Sequence, residues 1–308
     1  MDTKLFNRQQ KGGMFSIVNR EAFPTGSVWW VDSTATTTGA NLAGYGANPD
    51  APFLTLAYAE TQASAGDTIY LMPGHNEGIA NAQIDLDLAG LSVIGLGEGG
   101  AVPIIDFDHA NASIDIGANN VTIRNIKLRP SITDVLIAID VEAGKTGAKI
   151  IDVEAIPGED GAGADDLAAV VEFKAGCNDG LVDGLKVRQH ASGAGYIAGV
   201  RLKGASDNIE IRNCDIAIIG AGVVAPINGD TTLSTNVRIH NNLLVSDAEP
   251  GIEMLTGTTG VIFDNYIATN LATVAAAIVC DQAYLFHNYY CEVVTETGAL
   301  IGTASAND

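Results

Sequence analysis

The chain has 308 residues, with 37 acidic against 16 basic side chains and a formal charge of −21. That balance excludes a nucleic-acid surface, which needs Lys and Arg to displace phosphate counterions, and equally excludes adhesion to anionic lipid. An apolar fraction of 47% and a charged fraction of 17% exclude low-hydrophobicity disorder, and no apolar run approaches the roughly 18 residues of a membrane span.

Residues 1–26 form a distinct basic arm. Lys4, Arg8, Lys11 and Arg20 face only Asp2 and Glu21, so this stretch is net positive while the remainder is strongly acidic. Leu5, Phe6, Met14, Phe15 and Phe23 are scattered around Gly12-Gly13. Such an arm cannot fold alone. It either docks onto an acidic or grooved partner or lies back along its own body. It lacks the apolar core of a secretory signal, so synthesis in the cytosol is expected.

Residues 27–66 read as a cap. Val28-Trp-Trp-Val31 is a short apolar strand, and Thr34 to Asn48 is a loop of Gly, Thr, Ala and Asn. The stretch Ala51 to Ala63 is the one credible helix, opened by Pro52, with Leu54, Ala57, Tyr58 and Thr61 expected on its buried face.

Residues 67–308 carry an internal repeat. Asn120-Val-Thr-Ile-Arg-Asn-Ile126, Asn208-Ile-Glu-Ile-Arg-Asn-Cys214 and Asn236-Val-Arg-Ile-His-Asn-Asn242 share one pattern, and Gly260 to Tyr266 and Ala283 to Tyr289 follow it loosely. Taking Ile69, Val93, Ile123, Ile150, Val182, Ile211, Ile239, Phe263 and Phe286 as anchors gives steps of 23 to 32 residues. Within each unit apolar and polar residues alternate, as in a strand with one buried face. A second short strand precedes each unit, for example Val170 to Gly176 and Gly199 to Gly204, and ends in Gly, Asn or Asp turn residues. One such unit cannot bury its apolar face alone, and stacking it on its neighbours makes a continuous core. The expected fold is all-β: a right-handed parallel β-helix of about nine coils, a single-stranded solenoid with an N-terminal capping helix and arm. At about 4.8 Å per coil it makes a rod on the order of 40 Å long. Asn125, Asn213, Asn241, Asn265 and Asn288 are expected at one position as an amide ladder. Arg124, Asp183, Arg212, His240, Asp264 and His287 are expected as an outward row of paired charges.

Val28-Trp-Trp-Val-Asp-Ser33, then Ala51-Pro-Phe-Leu-Thr-Leu-Ala57 and Gly66-Asp-Thr-Ile-Tyr-Leu-Met-Pro-Gly74, resemble the opening of pectate-lyase-like β-helix proteins, especially those of tailed bacteriophages. The resemblance extends over roughly residues 28–300. It implies a pectin-lyase-like solenoid but leaves activity open, because one fold carries many functions. It also sets the early end of the chain, soon after the last repeat, against a full tailspike.

The candidate chemistry lies among the acids. Asp106-Phe-Asp-His109 offers two carboxylates two residues apart beside an imidazole, making Asp106, Asp108 and His109 the leading catalytic candidates should the chain cleave polysaccharide. Asp85/Asp87 and Asp165/Asp166 are further pairs, and Gly158 to Asp166 is an acidic loop without the ligand periodicity of a known calcium motif. His75 and Glu77 are expected to serve the first coil structurally. Aromatics are 6%, and both tryptophans lie outside the repeat, a poor inventory for stacking sugars. Cys177, Cys214, Cys280 and Cys291 are too sparse for a disulfide scaffold and form no zinc motif, so they read as bystander thiols. No cofactor or metal is expected. Residue pattern and resemblance together lead to the expectation of a structural virion protein on the capsid surface, assembled in the bacterial host cytoplasm. It would be a phage head decoration or cement protein whose arm, through Lys4, Leu5, Phe6, Arg8, Lys11, Met14, Phe15 and Arg20, grips the major capsid protein. The resemblance further implies a homotrimer. The competing readings are a tailspike-like depolymerase or lyase and an adhesin for host surface glycans.

Overall fold

The computed structural model describes residues 26–80, 83–132, 135–158, 167–188, 198–218, 225–229, 232–246, 249–269 and 276–292. Residues 1–25 of the basic arm and the acidic stretch 159–166 lie outside the described residues. Val28–Val31 (β1) pairs in parallel with Thr68–Leu71 (β2), placing Trp29 opposite Ile69. Asp67 ties this start together. Its Oδ1 accepts from Ser27 N at 2.6 Å, and its Oδ2 accepts from Trp29 Nε1 and Ser64 N, each at 2.9 Å.

The capping helix is Leu56–Gln62 (α1), shorter than the expected stretch and turned differently. Leu56 and Ala59 are its buried residues; Ala57 and Thr61 are exposed, and Leu54 precedes it. Two side chains set that start. Asn41 Oδ1 accepts from Leu54 N and Thr55 N at 2.8 and 3.3 Å, holding them extended, and Thr55 then caps Tyr58 N at 3.2 Å. Glu77 Oε2 accepts from Leu56 N at 2.6 Å, satisfying one of the orphan amides of the first turn. His75, fully buried, joins Glu77 Oε2 at 3.2 Å and accepts from Ser33 N on its other nitrogen. The expected structural role of His75 and Glu77 is therefore a clip between cap and first coil.

From β2 onward the chain visits three parallel sheets in turn. β2 enters a first sheet of ten strands, Asn76–Ile79 (β3) a second of nine, and Ile84–Asp85 (β4) a third of eight. Among the described residues this gives eight complete coils and a two-strand ninth, each strand paired with the strands one coil away. The architecture is a right-handed parallel β-helix, the handedness that parallel crossovers adopt.

Two corners explain the Asn and Gly pattern. From Thr122–Arg124 onward the chain turns between the first and second sheets on two residues. The first of these (Asn125, Asp152, Gly184, Asn213, Asn241, Asp264, His287) has φ between 52° and 74° in all seven coils. A matching column precedes the first sheet: Gly66, Gly90, Asn120, Gly147, Asp179, Asn208 and Asn236, with φ between 54° and 82°. Left-handed backbone costs most L-residues about 1–2 kcal/mol, and Gly, Asn and Asp least.

The second residue of the two-residue corner points inward: Ile126, Val153, Leu185 and Cys214, then Asn242, Asn265 and Asn288, all buried. The expected single asparagine row is thus two rows. Asn125, Asn213 and Asn241 stand on the left-handed corner, whereas Asn242, Asn265 and Asn288 form the interior ladder. Asn242 Nδ2 donates to Asn265 Oδ1 and Asn265 Nδ2 to Asn288 Oδ1, both at 2.9 Å. Each amide also donates to a carbonyl of an earlier coil, Ile211, Ile239 and Ile262 respectively. The same one-residue shift corrects two anchors. Ile262 is the partner of Ile239 and Leu285 that of Ile262, while Phe263 and Phe286 face outward, Phe263 stacking on His240 at 4.6 Å and Phe286 on Phe263 at 4.9 Å. Asp264 and His287 accordingly leave the outward row for the corner.

Replacing Asn265 by Ala removes the interior oxygen that accepts from both Asn242 N and Asn242 Nδ2 and should cost about 3 kcal/mol in urea unfolding. Asn241→Ala, on the exposed corner, should cost only about 1 kcal/mol. Equal costs would contradict the two-row assignment.

Candidate functional site

Outward charges on the first two sheets meet opposite charges one coil away. Arg212 sits 2.9 Å from Asp183, and Glu210 takes Arg212, Arg238 and His240 at 3.0 to 3.1 Å. These contacts hold Glu210 below the usual carboxylate range against the opposing effect of burial. On the second sheet Arg188 pairs with Asp215, and Lys127 with Glu154 at 3.6 Å.

Asp106 belongs to this second sheet. Its two oxygens accept from Arg129 Nε and Nη2 at 2.5 and 2.7 Å, a bidentate pair across one coil step. Asp108 lies past the strand end and is exposed, and His109 Nδ1 accepts from Asn111 N at 3.1 Å in the following turn. The three leading candidates are therefore not gathered around one cleft: Asp106 is committed to an arginine, and His109 braces a turn.

The third sheet gathers Asp85, known from sequence only as half of the Asp85/Asp87 pair, with acids that the sequence pattern did not single out. Register places Asp85, Asp115, Asp140, Glu172, Arg201, Asn228 and Glu253 in one outward column. The triplets Ile114-Asp-Ile116, Ile139-Asp-Val141, Val171-Glu-Phe173 and Val200-Arg-Leu202 carried this signal, one per coil. Their flanking apolar residues are all buried in the core, which fixes the middle residue outward.

Although outward, this column is poorly solvated. Asp140 is 6% exposed and Glu172 2%. Arg201 pairs with Glu172, and Lys174 Nζ lies 2.5 Å from Asp140 Oδ2. Asp140 Oδ1 is buried with no hydrogen-bond partner among the described residues. Beside it Asp115 Oδ1 accepts from Ser113 Oγ at 2.5 Å. Ser113, Asp115, Asp140 and Lys174 line a cleft of about 260 Å³ together with Gln83, Asn111, Leu136 and Ile137.

The charges in the cleft are unbalanced. Burial, then the charges of Asp140 and Asp85, push the Asp115 carboxyl up against the opposing Ser113 hydrogen bond. Burial, then Glu172, push Asp140 up despite Lys174. Burial alone would lower Lys174, but its contact with Asp140 and the nearby Asp115 and Glu172 outweigh that and raise it. One ammonium serves several carboxylates. Among the described residues no group of three or more His, Cys, Asp or Glu side chains is placed to hold a metal ion.

The cysteines stand apart from the cleft. Among the described residues none of the four forms a disulfide; burial pushes Cys177 to about 11 and Cys214 to about 12, so neither is a thiolate at neutral pH.

No protein-family model matches the chain, and no curated protein does. Among solved structures it is similar to one titled "Rhamnogalacturonan lyase", at 12% identity over 90% of both chains and a TM-score of 0.45. It is also similar to a GH136 lacto-N-biosidase from Eubacterium ramulus, at 9% identity over 87% of this chain and 68% of the other, with a TM-score of 0.34.

Because the Asp115 pKa is raised on folding, its ionised form costs stability above the folded value, and that cost is absent below the unfolded value near about 4. Asp115→Asn keeps an oxygen for Ser113. It should raise the melting temperature at pH 7, with the gain shrinking on acidification and vanishing near pH 3. Thermal melts across that range check the sign.

Proposed function

We propose that the chain is a structural component of a virion: a bacteriophage head decoration or cement protein that stands on the capsid as a rigid β-helical post. The observation that carries this reading is how the outward charge of the first two sheets is used. Arg129, Arg188, Arg212 and Arg238 each hold an acid one coil away, so these faces are stitched lengthwise rather than opened as a groove. Single pairs of this kind contribute at most about 1 kcal/mol, but repeated along a solenoid they resist bending and local opening. The capped first coil, clipped by His75 and Glu77 and buckled by Asp67, fits a post whose load enters at its N-terminal end.

In this reading the arm over residues 1–26 supplies attachment. Its four cations complement an acidic lattice surface of the major capsid protein, and its spaced apolar residues supply anchors once the arm is ordered by binding. The acidic body, repelled by its own copies, keeps neighbouring posts apart, and a homotrimer matches the local threefold positions such a lattice offers.

Purified protein mixed with undecorated capsids should co-sediment, and deletion of residues 1–26 should abolish that while leaving the far-ultraviolet circular dichroism unchanged. Undiminished attachment of the truncated chain would overturn the arm's role. Release of reducing ends from host surface polysaccharide would replace this reading with a tailspike-like depolymerase.

A further inference from the structure

The capsid reading makes no use of the cleft on the third sheet. We propose that this cleft is a binding subsite for one uncharged or amino sugar ring, held by hydroxyl donation to Asp140 Oδ1.

Asp140 is 6% exposed, its Oδ2 is occupied by Lys174, and its Oδ1 meets no donor among the described residues. A buried carboxylate oxygen without a donor is costly and rare in native proteins, so a donor from outside the chain is called for. The neighbouring groups narrow its chemistry. Asp115 offers further acceptor capacity beside Asp140, since the two are register partners one coil apart. Lys174 offers ammonium hydrogens, and Ser113 Oγ, having donated to Asp115, still has lone pairs. A ligand carrying adjacent groups that both donate and accept satisfies this set, and vicinal hydroxyls are such groups. Leu136, 52% exposed at the rim, and Ile137 offer apolar contact to the C–H face of a ring. A cleft of about 260 Å³ is below the usual range for drug-sized ligands and suits one small ring.

Charge then selects among sugars. Asp85, Asp115, Asp140 and Glu172 stand in successive coils of the column, balanced nearby by Lys174 and Arg201. A uronate would add a further carboxylate to this field, whereas a neutral ring adds none and an amino sugar brings a compensating ammonium. A divalent cation fits less well. It would have to share Asp140 with the Lys174 ammonium, and two carboxylates fall short of the usual six to eight oxygen ligands of calcium. The upward displacement of the Asp115 and Asp140 pKa values agrees with a site short of donors.

The test is a titration of the full chain, by calorimetry and by nuclear magnetic resonance, with glucose, galactose, N-acetylglucosamine, glucosamine, galacturonate and calcium chloride separately. At least one neutral or amino sugar should bind saturably in the millimolar range, with galacturonate at least about tenfold weaker. Asp140→Ala should weaken binding about tenfold or more, the usual consequence of losing a hydrogen bond to a charged group. Leu136→Asp, a rim substitution outside the core, should also abolish binding and keeps the test valid should Asp140→Ala fail to fold. The proposal is overturned if no sugar binds up to its solubility limit, or if binding survives either substitution. Galacturonate binding as well as the neutral rings, or saturable binding by calcium alone, overturns it too.

Discussion

Backbone hydrogen bonding between successive coils is the constraint from which the other features of this molecule follow. Each strand lies in parallel register with its counterparts one coil before and after, at the roughly 4.8 Å separation of a β-ladder. Whatever occupies a position in one coil therefore stands directly over the same position in the next. Apolar residues become columns in the core, such as Ile123, Ile150, Val182, Ile211 and Ile239. Corners must turn the chain without lifting it out of register, so the left-handed residue recurs at the same place and is Gly, Asn or Asp in six of the seven coils that carry the two-residue corner. His287 is the exception, and it falls in the last described coil, where no further coil among the described residues stacks on it.

The same stacking makes charge a collective problem. Like charges placed one coil apart would repel along the whole rod, and the first two sheets avoid this by setting Arg or Lys against Asp or Glu across successive coils. The third sheet departs from that rule. Asp85, Asp115, Asp140 and Glu172 succeed one another before Arg201 appears. Burial makes the departure expensive, since an unpartnered buried oxygen costs on the order of 1–3 kcal/mol while an exposed ion pair returns less than about 1 kcal/mol. A fold that solves the charge problem on two faces and leaves it standing on the third has a functional question attached to that third face.

The solenoid was legible because its repeat is a backbone requirement written in residue types: Asn120, Asn208 and Asn236 cannot be exchanged freely for bulky residues at φ near 57°. What misled was chemical identity. Asn241 and Asn265 look equivalent, yet Asn265 aligns with Asn242, because the next strand, Tyr266–Thr269, pairs with Leu243–Ser246. Register follows backbone pairing, and the apolar residues Leu244 and Ile267 mark it better than the amides do. The acidic column was missed for a related reason. Its members are separated by 25 to 32 residues and become neighbours only when coils are superposed, whereas Asp106 and Asp108 are adjacent in the chain and parted by the strand end. Short-range spacing finds turns and caps such as His75 with Glu77; in a solenoid, sites assemble along the axis instead.

That geometry bears on how a post and a binding site can share one chain. A cleft built on loops would move independently of the rod. Asp115, Asp140 and Glu172 instead sit on strands whose neighbours, Ile114, Ile139 and Val171, are fully or almost fully buried, so displacing one carboxylate relative to the next requires breaking ladder hydrogen bonds and disturbing the core. Their spacing is thereby fixed before any ligand arrives, and pre-organisation of this kind removes much of the ordering cost that weakens small-ligand binding. The stitched faces also hold the acidic column in place, so the proposed mechanical and recognition roles would draw on the same interaction. A ligand bridging Asp115 and Asp140 would in turn supply the hydrogen-bond donors that the column lacks and stabilise the coils that carry it.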